Sequence, residues 1–339
     1  MDKKAVSFLV VGVLVGMLVT TAGFAWYVRD GRLDGPASNT RVLKLAHSLD
    51  QSHPVHKGME VMAQRLAEIS GGKMAIEIFP NEQLGNETEA IEQVQRGVLA
   101  MTKTSTAALE SFIPEMAIFS VPYIFRDEAH CWQTLEGPLG DDLRMVGIPN
   151  GVRGLCYYDA GTRNFYTAQT PIMSPSDLNG LKIRVMKSKT SMDMVQSLGA
   201  APTPIPWGEL YTALQQGMVD GAENNLPSFY SNRHFEVCKH FSLDAHTIIP
   251  DILLVSEPVW QTLSPEEQEW LQQAADESSQ FERKLWAEET AAALEAIREE
   301  GVTVHEPDRQ TFIDKVQAMH HGYDGTELGN LISRIKEDR

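Results

Sequence analysis

Residues 181–186 read Leu-Lys-Ile-Arg-Val-Met. Leu181, Ile183 and Val185 alternate with Lys182 and Arg184, the period of two expected of a strand with one buried face. Downstream, Pro206-Trp207-Gly208-Glu209-Leu210-Tyr211 opens a helical stretch that runs through Ala213-Leu214-Gln215-Gln216 and stops at Gly217. Val219 to Ala222 then reads as another strand and delivers a dense polar group, Glu223-Asn224-Asn225. Upstream, Gly154 to Tyr158 is a further apolar run. Strands that alternate with helices specify an α/β fold.

The same alternation extends to the start of the domain near Arg41. Val42, Leu43, Leu45 and Ala46 form a short strand. His53-Pro54 opens a helix whose apolar positions are Val55, Met59, Met62, Leu66 and Ile69, and Gly71-Gly72 stops it. Met74 to Phe79 is a second strand. Ile91, Val94 and Val98 space a second helix, and LAMTKTS after it is strand-like. In the last third, Ser264-Pro265-Glu266-Glu267 combines a capping box with proline at the first helical position. Trp270, Leu271, Ala274, Phe281, Leu285 and Trp286 keep helical spacing from there towards Ile297. That helix would extend roughly 45 Å or more at 1.5 Å per residue, long enough to serve more than one lobe.

Composition narrows the function classes. The chain has 339 residues, 42% hydrophobic and 22% charged, as globular domains do. Its 46 acidic residues against 29 basic ones leave a formal net charge of -17, which argues against a nucleic-acid partner, since phosphate binding needs a basic face. At the N-terminus, Lys3 and Lys4 precede an uncharged run from Ala5 to Val28, with small residues around Gly23-Phe24-Ala25. Residues 1–28 thus read as a secretory signal or an uncleaved inner-membrane anchor. Residues 29–40 read as a tether, and the remaining chain as an exported, periplasmic body. No cysteine directly follows the apolar run, which argues against lipid anchoring. Cys131, Cys156 and Cys238 allow at most one disulfide, with Cys131–Cys156 as one pairing and buried free thiols as the alternative.

Marks of an enzyme are missing: the sequence holds no GxSxG, P-loop, HExxH or strand-linked GxGxxG pattern, and no nucleophile with a positioned base. His53 with His56, and His320 with His321, lack further ligands at metal spacing and read as solvated helix-end histidines. No metal or other cofactor is expected.

Arg184 is the most informative residue. It lies on the face of its strand opposite the apolar positions, and strands of α/β domains end at a crevice where ligands bind. A guanidinium there can hold a carboxylate through two parallel hydrogen bonds; the competing reading pairs Arg184 with an Asp or Glu of a neighbouring helix. Arg163, in the turn-like Gly161-Thr162-Arg163-Asn164, is by itself a surface charge. Trp207 at a helix start is either a stacking face for a ligand or core. Glu223, Asn224 and Asn225 offer hydrogen bonds to hydroxyls or a carboxylate.

These stretches carry a resemblance. GLKIRVM, LGAAPTPIPWGELYTALQQGMVDGAENNLPSFY and HFEVCKHFSL, preceded by FPNEQLGNETEAIEQVQRG and FIPEMAIFSVPYIF, are similar in order and content to the solute-binding (DctP) family of tripartite ATP-independent periplasmic (TRAP) transporters. The resemblance implies two α/β lobes joined by hinge strands and a long bridging helix, closing over ligand. Lobe I would hold 41–161 and about 250–289, and lobe II 162–249 and about 290–339. It implies that Arg184 forms the carboxylate salt bridge, that Arg163 assists, that Asn224 is the asparagine after the DGxE segment, and that Trp207 stands where many relatives carry phenylalanine. His47, Glu87 and Lys103 fall where relatives often line the cleft. Their bland alternatives are a strand end, a helix first turn and a surface lysine.

The implied function is an extracytoplasmic receptor, not an enzyme, that passes a small organic acid to integral membrane permease subunits. A buried arginine needs a countercharge, so the ligand is acidic. TRNFYT with GAENN resembles members that bind hexuronates such as glucuronate or galacturonate. C4-dicarboxylates, 2-oxo acids and a membrane-anchored ligand sensor are the alternatives.

Overall fold

The computed structural model describes residues 40–337. The readings of 1–28 and 29–40 lie outside the described residues, save for Thr40. The strands are β1 (Arg41–Ala46), β2 (Met74–Phe79), β3 (Met101–Ser105), β4 (Val152–Tyr158), β5 (Thr162–Thr167), β6 (Lys182–Val185), β7 (Ala201–Pro204), β8 (Gly221–Asn224), β9 (His240–Ile248), β10 (Asp251–Ser256) and β11 (Thr303–His305). They form a five-stranded sheet in the order β2-β1-β3-β10-β4 and a six-stranded sheet in the order β11-β9-β5-β8-β6-β7. β1, β2 and β3 run parallel, while β10 is antiparallel to both β3 and β4. In the second sheet β6 lies parallel to β7 and β8, and β5 is antiparallel to β8 and β9.

Local chemistry accounts for these elements. The helix Pro54–Ile69 starts on the His53 side chain, which accepts from the Val55 N–H, and Gly71 follows its end at φ 60°. Its one buried stripe carries Val55, Met59, Met62 and Leu66. Every position of β3, MTKTS, is buried, because the strand sits between β1 and β10 in a sheet covered by helices. The helix Pro265–Glu299 has 35 residues and begins in the expected capping box, Ser264 with Glu267. Its length is about 52 Å. Leu271, Ala274, Ala275 and Trp286 pack with the first sheet, whereas Ala293 and Ile297 pack with the second. Phe281, in helical register but on the opposite side, is 41% exposed. Val98, expected on an apolar helical face, lies beyond the helix Glu87–Gln95 and is exposed.

Before its C-terminal helix, the chain passes between the sheets at three places among the described residues. Asp159, Ala160 and Gly161 separate β4 from β5; Ile249 and Pro250 separate β9 from β10; the long helix spans both. The C-terminal helix Glu327–Glu337 corrects the expected assignment of 290–339 to lobe II. Its Ile332 and Ile335 are buried in one cluster with Phe119 and Trp132, in the core of the first sheet.

Candidate ligand-binding cleft

The carboxyl ends of β3, β6 and β8 converge between the sheets. They deliver Ser105, Met186, Asn224 and Asn225 to a cleft also lined by Ser48, His53, Lys103, Arg163, Arg184, Asp251 and Trp286. The cleft opens into a groove of about 570 Å³ bounded by Asn86, Glu87, Lys187, Pro206 and Trp207. Glu87, Arg184, Met186 and Trp207 line both parts.

Arg184 is 2% exposed. Its Nε donates to the Ile205 carbonyl at 2.9 Å, and its buried Nη1 has no hydrogen-bond partner among the described residues. No carboxylate lies within ion-pair distance of it among them, so the reading of a structural ion pair is not met. Burial, the largest influence, pulls its pKa down. The Cζ atom lies 5.7 Å from the centre of the Trp207 ring, within cation–π range.

Arg163 behaves differently. It sits in β5, not in a turn, and is buried. Its Nε and Nη2 form a two-pronged ion pair with the Glu223 carboxylate, Nη2 also donates to the Glu223 carbonyl, and Nη1 donates to Asn224 Oδ1 at 2.7 Å. Four of its five N–H groups are thus engaged by β8. Glu223 also meets His246 Nε2 at 3.3 Å, and His246 Nδ1 lies 2.7 Å from Asp244. Burial pulls the His246 pKa down, but Asp244 and Glu223 outweigh it and raise it to about 9. Burial likewise pushes Glu223 up, and Arg163 with His246 overcomes it and holds the carboxyl at about 2. Two cations therefore balance two carboxylates in this network. Arg184, next to it, remains as an uncompensated buried charge.

The remaining residues divide. Asn224 Oδ1 is taken by Arg163 and by the Asn225 N–H, while its amide NH₂ makes no hydrogen bond among the described residues. Asn225 caps the helix Leu226–Ser231 and donates to the Ala160 carbonyl, so it ties β8 to a crossing segment. Trp207 is half-buried at the first position of the helix Trp207–Gln215. Glu87, also half-buried, starts its helix and accepts from the Ser105 N–H at 2.7 Å. Lys103 is 3% exposed and pairs with Asp251 at 2.8 Å, which corrects the surface-lysine alternative. His47 is not among the lining residues. Its Nε2 faces His56 Nδ1 at 2.9 Å and its Nδ1 accepts from the Leu49 N–H, so both ring nitrogens are spent within the fold.

Histidines 53, 56 and 320 are buried, not solvated as their helix-end positions suggest. His53 Nε2 meets Ser228 Oγ at 3.1 Å across the cleft, and burial lowers its pKa to about 3. His53, Asp251, Ser228 and Trp286 are lining residues that sequence reasoning missed. Only His53, before a helix-opening proline, carried any local signal. Among the described residues no group of three or more His, Cys, Asp or Glu is placed to hold a metal, and no helix is long and apolar enough to cross a membrane. All three cysteines are free and buried.

The profile of the bacterial extracellular solute-binding proteins, family 7, known as DctP, matches residues 45–325. The chain belongs to the DctP family. A DctP-type relative, the 2,3-diketo-L-gulonate-binding periplasmic protein of Escherichia coli, is 32% identical, with 80% of this chain and 83% of that one covered. Two solved TRAP periplasmic solute-binding proteins, each containing galacturonate, superpose with TM-scores of 0.85. The Bradyrhizobium protein is 41% identical and the Xanthobacter autotrophicus protein 36%; each match covers 88% of this chain and 100% of the other. A Chromohalobacter salexigens relative with bound D-glucuronate is 29% identical at the same TM-score, over 88% of this chain and 100% of that one. Members of the DctP family are extracytoplasmic receptors of TRAP transporters that bind small organic acids and work with membrane permease subunits, and this chain shares their two-sheet α/β fold.

Proposed function

We propose that this receptor captures a hexuronate, D-galacturonate or D-glucuronate, and delivers it from the periplasm to its permease. The observation that carries the reading is Arg184, a buried guanidinium with a free Nη1 and no carboxylate partner. Leaving such a charge unpaired is costly, and a ligand carboxylate removes the cost. Arg163 orients the site through Glu223 and Asn224, and the Asn224 amide donates to the ligand. Trp207 covers the C–H face of the sugar ring, while Glu87 and the Lys103–Asp251 pair take its hydroxyls. The hexuronates found in the solved relatives support the choice of sugar acid. In this reading 41–161 with about 250–289 moves against 162–249 with about 290–326, hinged at Asp159–Gly161 and Ile249–Pro250. No chemistry on the ligand is required.

Calorimetry on the unfolded and refolded exported body, with uronates, aldonates, C4-dicarboxylates and 2-oxo acids, tests this. Micromolar or tighter uronate binding is expected, reduced about 100-fold or more by Arg184→Ala. A preference for succinate, or uronate binding indifferent to Arg184→Ala, would remove the proposal.

A further inference from the structure

The turn after β2 holds a carboxylate whose partner is in the other lobe. Asn81 and Glu82 both adopt left-handed backbone, at φ 54° and 57°, a conformation that asparagine tolerates but that disfavours Glu82. The turn is nevertheless fastened firmly. The Asn81 N–H donates to the Leu49 carbonyl and the Glu82 N–H to the His47 carbonyl, each at 3.1 Å. So anchored, Glu82 reaches 126 residues along the chain and accepts from the Gly208 N–H at 3.2 Å.

Gly208 is the second residue of the helix Trp207–Gln215, whose capping position is Pro206 and which has no side-chain cap of its own. A helix start leaves backbone N–H groups unsatisfied and carries partial positive charge, so a carboxylate is its natural partner. A Cβ at Gly208 would stand 2.5 Å from Glu82 Oε2, so a side chain there would push the carboxylate from its place. Trp207, the adjacent residue, lines the cleft beside Arg184.

We infer that Glu82 is a cross-lobe latch. It supplies from the first lobe the cap that the Trp207 helix lacks, and so holds the closed form and positions Trp207 over the ligand. Opening the cleft breaks this contact, which makes Glu82 a determinant of ligand release rather than of ligand choice. The inference rests on the proposed function only in naming the ligand; the latch itself is a contact between lobes.

The test has two arms. In the first, stopped-flow dissociation of D-galacturonate is compared among wild type, Glu82→Ala, Glu82→Gln and Gly208→Ala. Dissociation should quicken about 3- to 10-fold in Glu82→Ala and in Gly208→Ala, with association little changed, and Glu82→Gln should recover part of the loss because it keeps an acceptor. Gly208→Ala raises helix propensity, so a faster release there cannot be ascribed to poor folding. In the second, spin labels at Val98→Cys and Met218→Cys, both exposed positions, report the distance between lobes without ligand. The closed population should fall in Glu82→Ala. Should wild type bind no uronate, the hexuronate reading fails and the second arm alone decides the latch. Unchanged release with unchanged lobe distances, or a wild type with neither uronate binding nor a closed population, overturns it.

Discussion

The guanidinium of Arg184 lies 5.7 Å from the ring centre of Trp207, on the half-buried entrance to the cleft, while its Nη1 faces no acceptor among the described residues. A cation is thus held ready by an aromatic face and one backbone carbonyl, Ile205. Such a site gives up folding stability for ligand affinity.

It follows that Arg184→Met removes uronate binding without lowering the melting temperature of the ligand-free protein, because it replaces an uncompensated buried charge by an apolar chain of similar length. Arg184→Lys should not restore binding, since an ammonium lacks the planar two-pronged geometry. Thermal shift assays with and without D-galacturonate read both effects. A ligand-free melting point several degrees below wild type would show that Arg184 is structural.

The network Asp244–His246–Glu223–Arg163 imposes a pH profile. His246 is raised from 6.5 to about 9, so its stabilisation is complete below pH 6.5 and is lost as pH rises through 9. Glu223 is depressed from 4.5 to about 2, so its contribution is complete above pH 4.5 and is lost only as pH falls through 2. Stability should therefore decline between pH 7 and 10, and this alkaline decline should weaken in His246→Gln. A flat wild-type melting profile over that range would mean that His246 is neutral.

Glu223→Gln should be among the more damaging substitutions in the molecule. It leaves Arg163 buried against a neutral amide, with a cost of about 3–5 kcal/mol by the usual behaviour of broken buried pairs. Urea unfolding at pH 7 measures it. A loss below about 1 kcal/mol would place the pair energetically at the surface, against its burial.

Glu282 in the long helix is fully buried; its Oε2 accepts from the Asp159 N–H at 2.8 Å and its Oε1 has no partner. Burial, followed by the nearby Asp159, raises its pKa well above the ordinary value, which favours the neutral carboxyl. Glu282→Gln should then change stability by less than about 0.5 kcal/mol at pH 7 and stabilise at higher pH, where the carboxyl would have to ionise. Destabilisation of the amide variant across the whole pH range would contradict the neutral carboxyl.

The three cysteines are free, and burial raises the pKa of each thiol, that of Cys238 to about 12. Native protein at pH 8 should react slowly with a thiol reagent and release three equivalents once unfolded. Finding one equivalent instead would establish a disulfide.

Much of this protein was legible along the chain because helices, strands and caps depend on near neighbours. The capping box of Ser264 and Glu267, the alternation around Arg184 and the helix opened at Pro54 all emerge where local chemistry puts them, and Trp207 heads its helix as read. The long family-like segments supplied the two-lobed expectation. What spacing does not contain is which charges meet. Arg163 read as a surface charge in a turn and Arg184 as a strand residue, yet β5 and β8 pair so that Glu223 and Asn224 occupy the first, while β6 carries the second to a place without an ion-paired carboxylate. His47 turned to His56, Lys103 was buried against Asp251, and Glu82 found Gly208. Each of those outcomes rests on atoms about 3 Å apart that the fold brings together, and a hydrogen bond forms only at that range. Local order could therefore be read from the sequence, whereas the charge left free to bind a ligand was decided only by the tertiary fold.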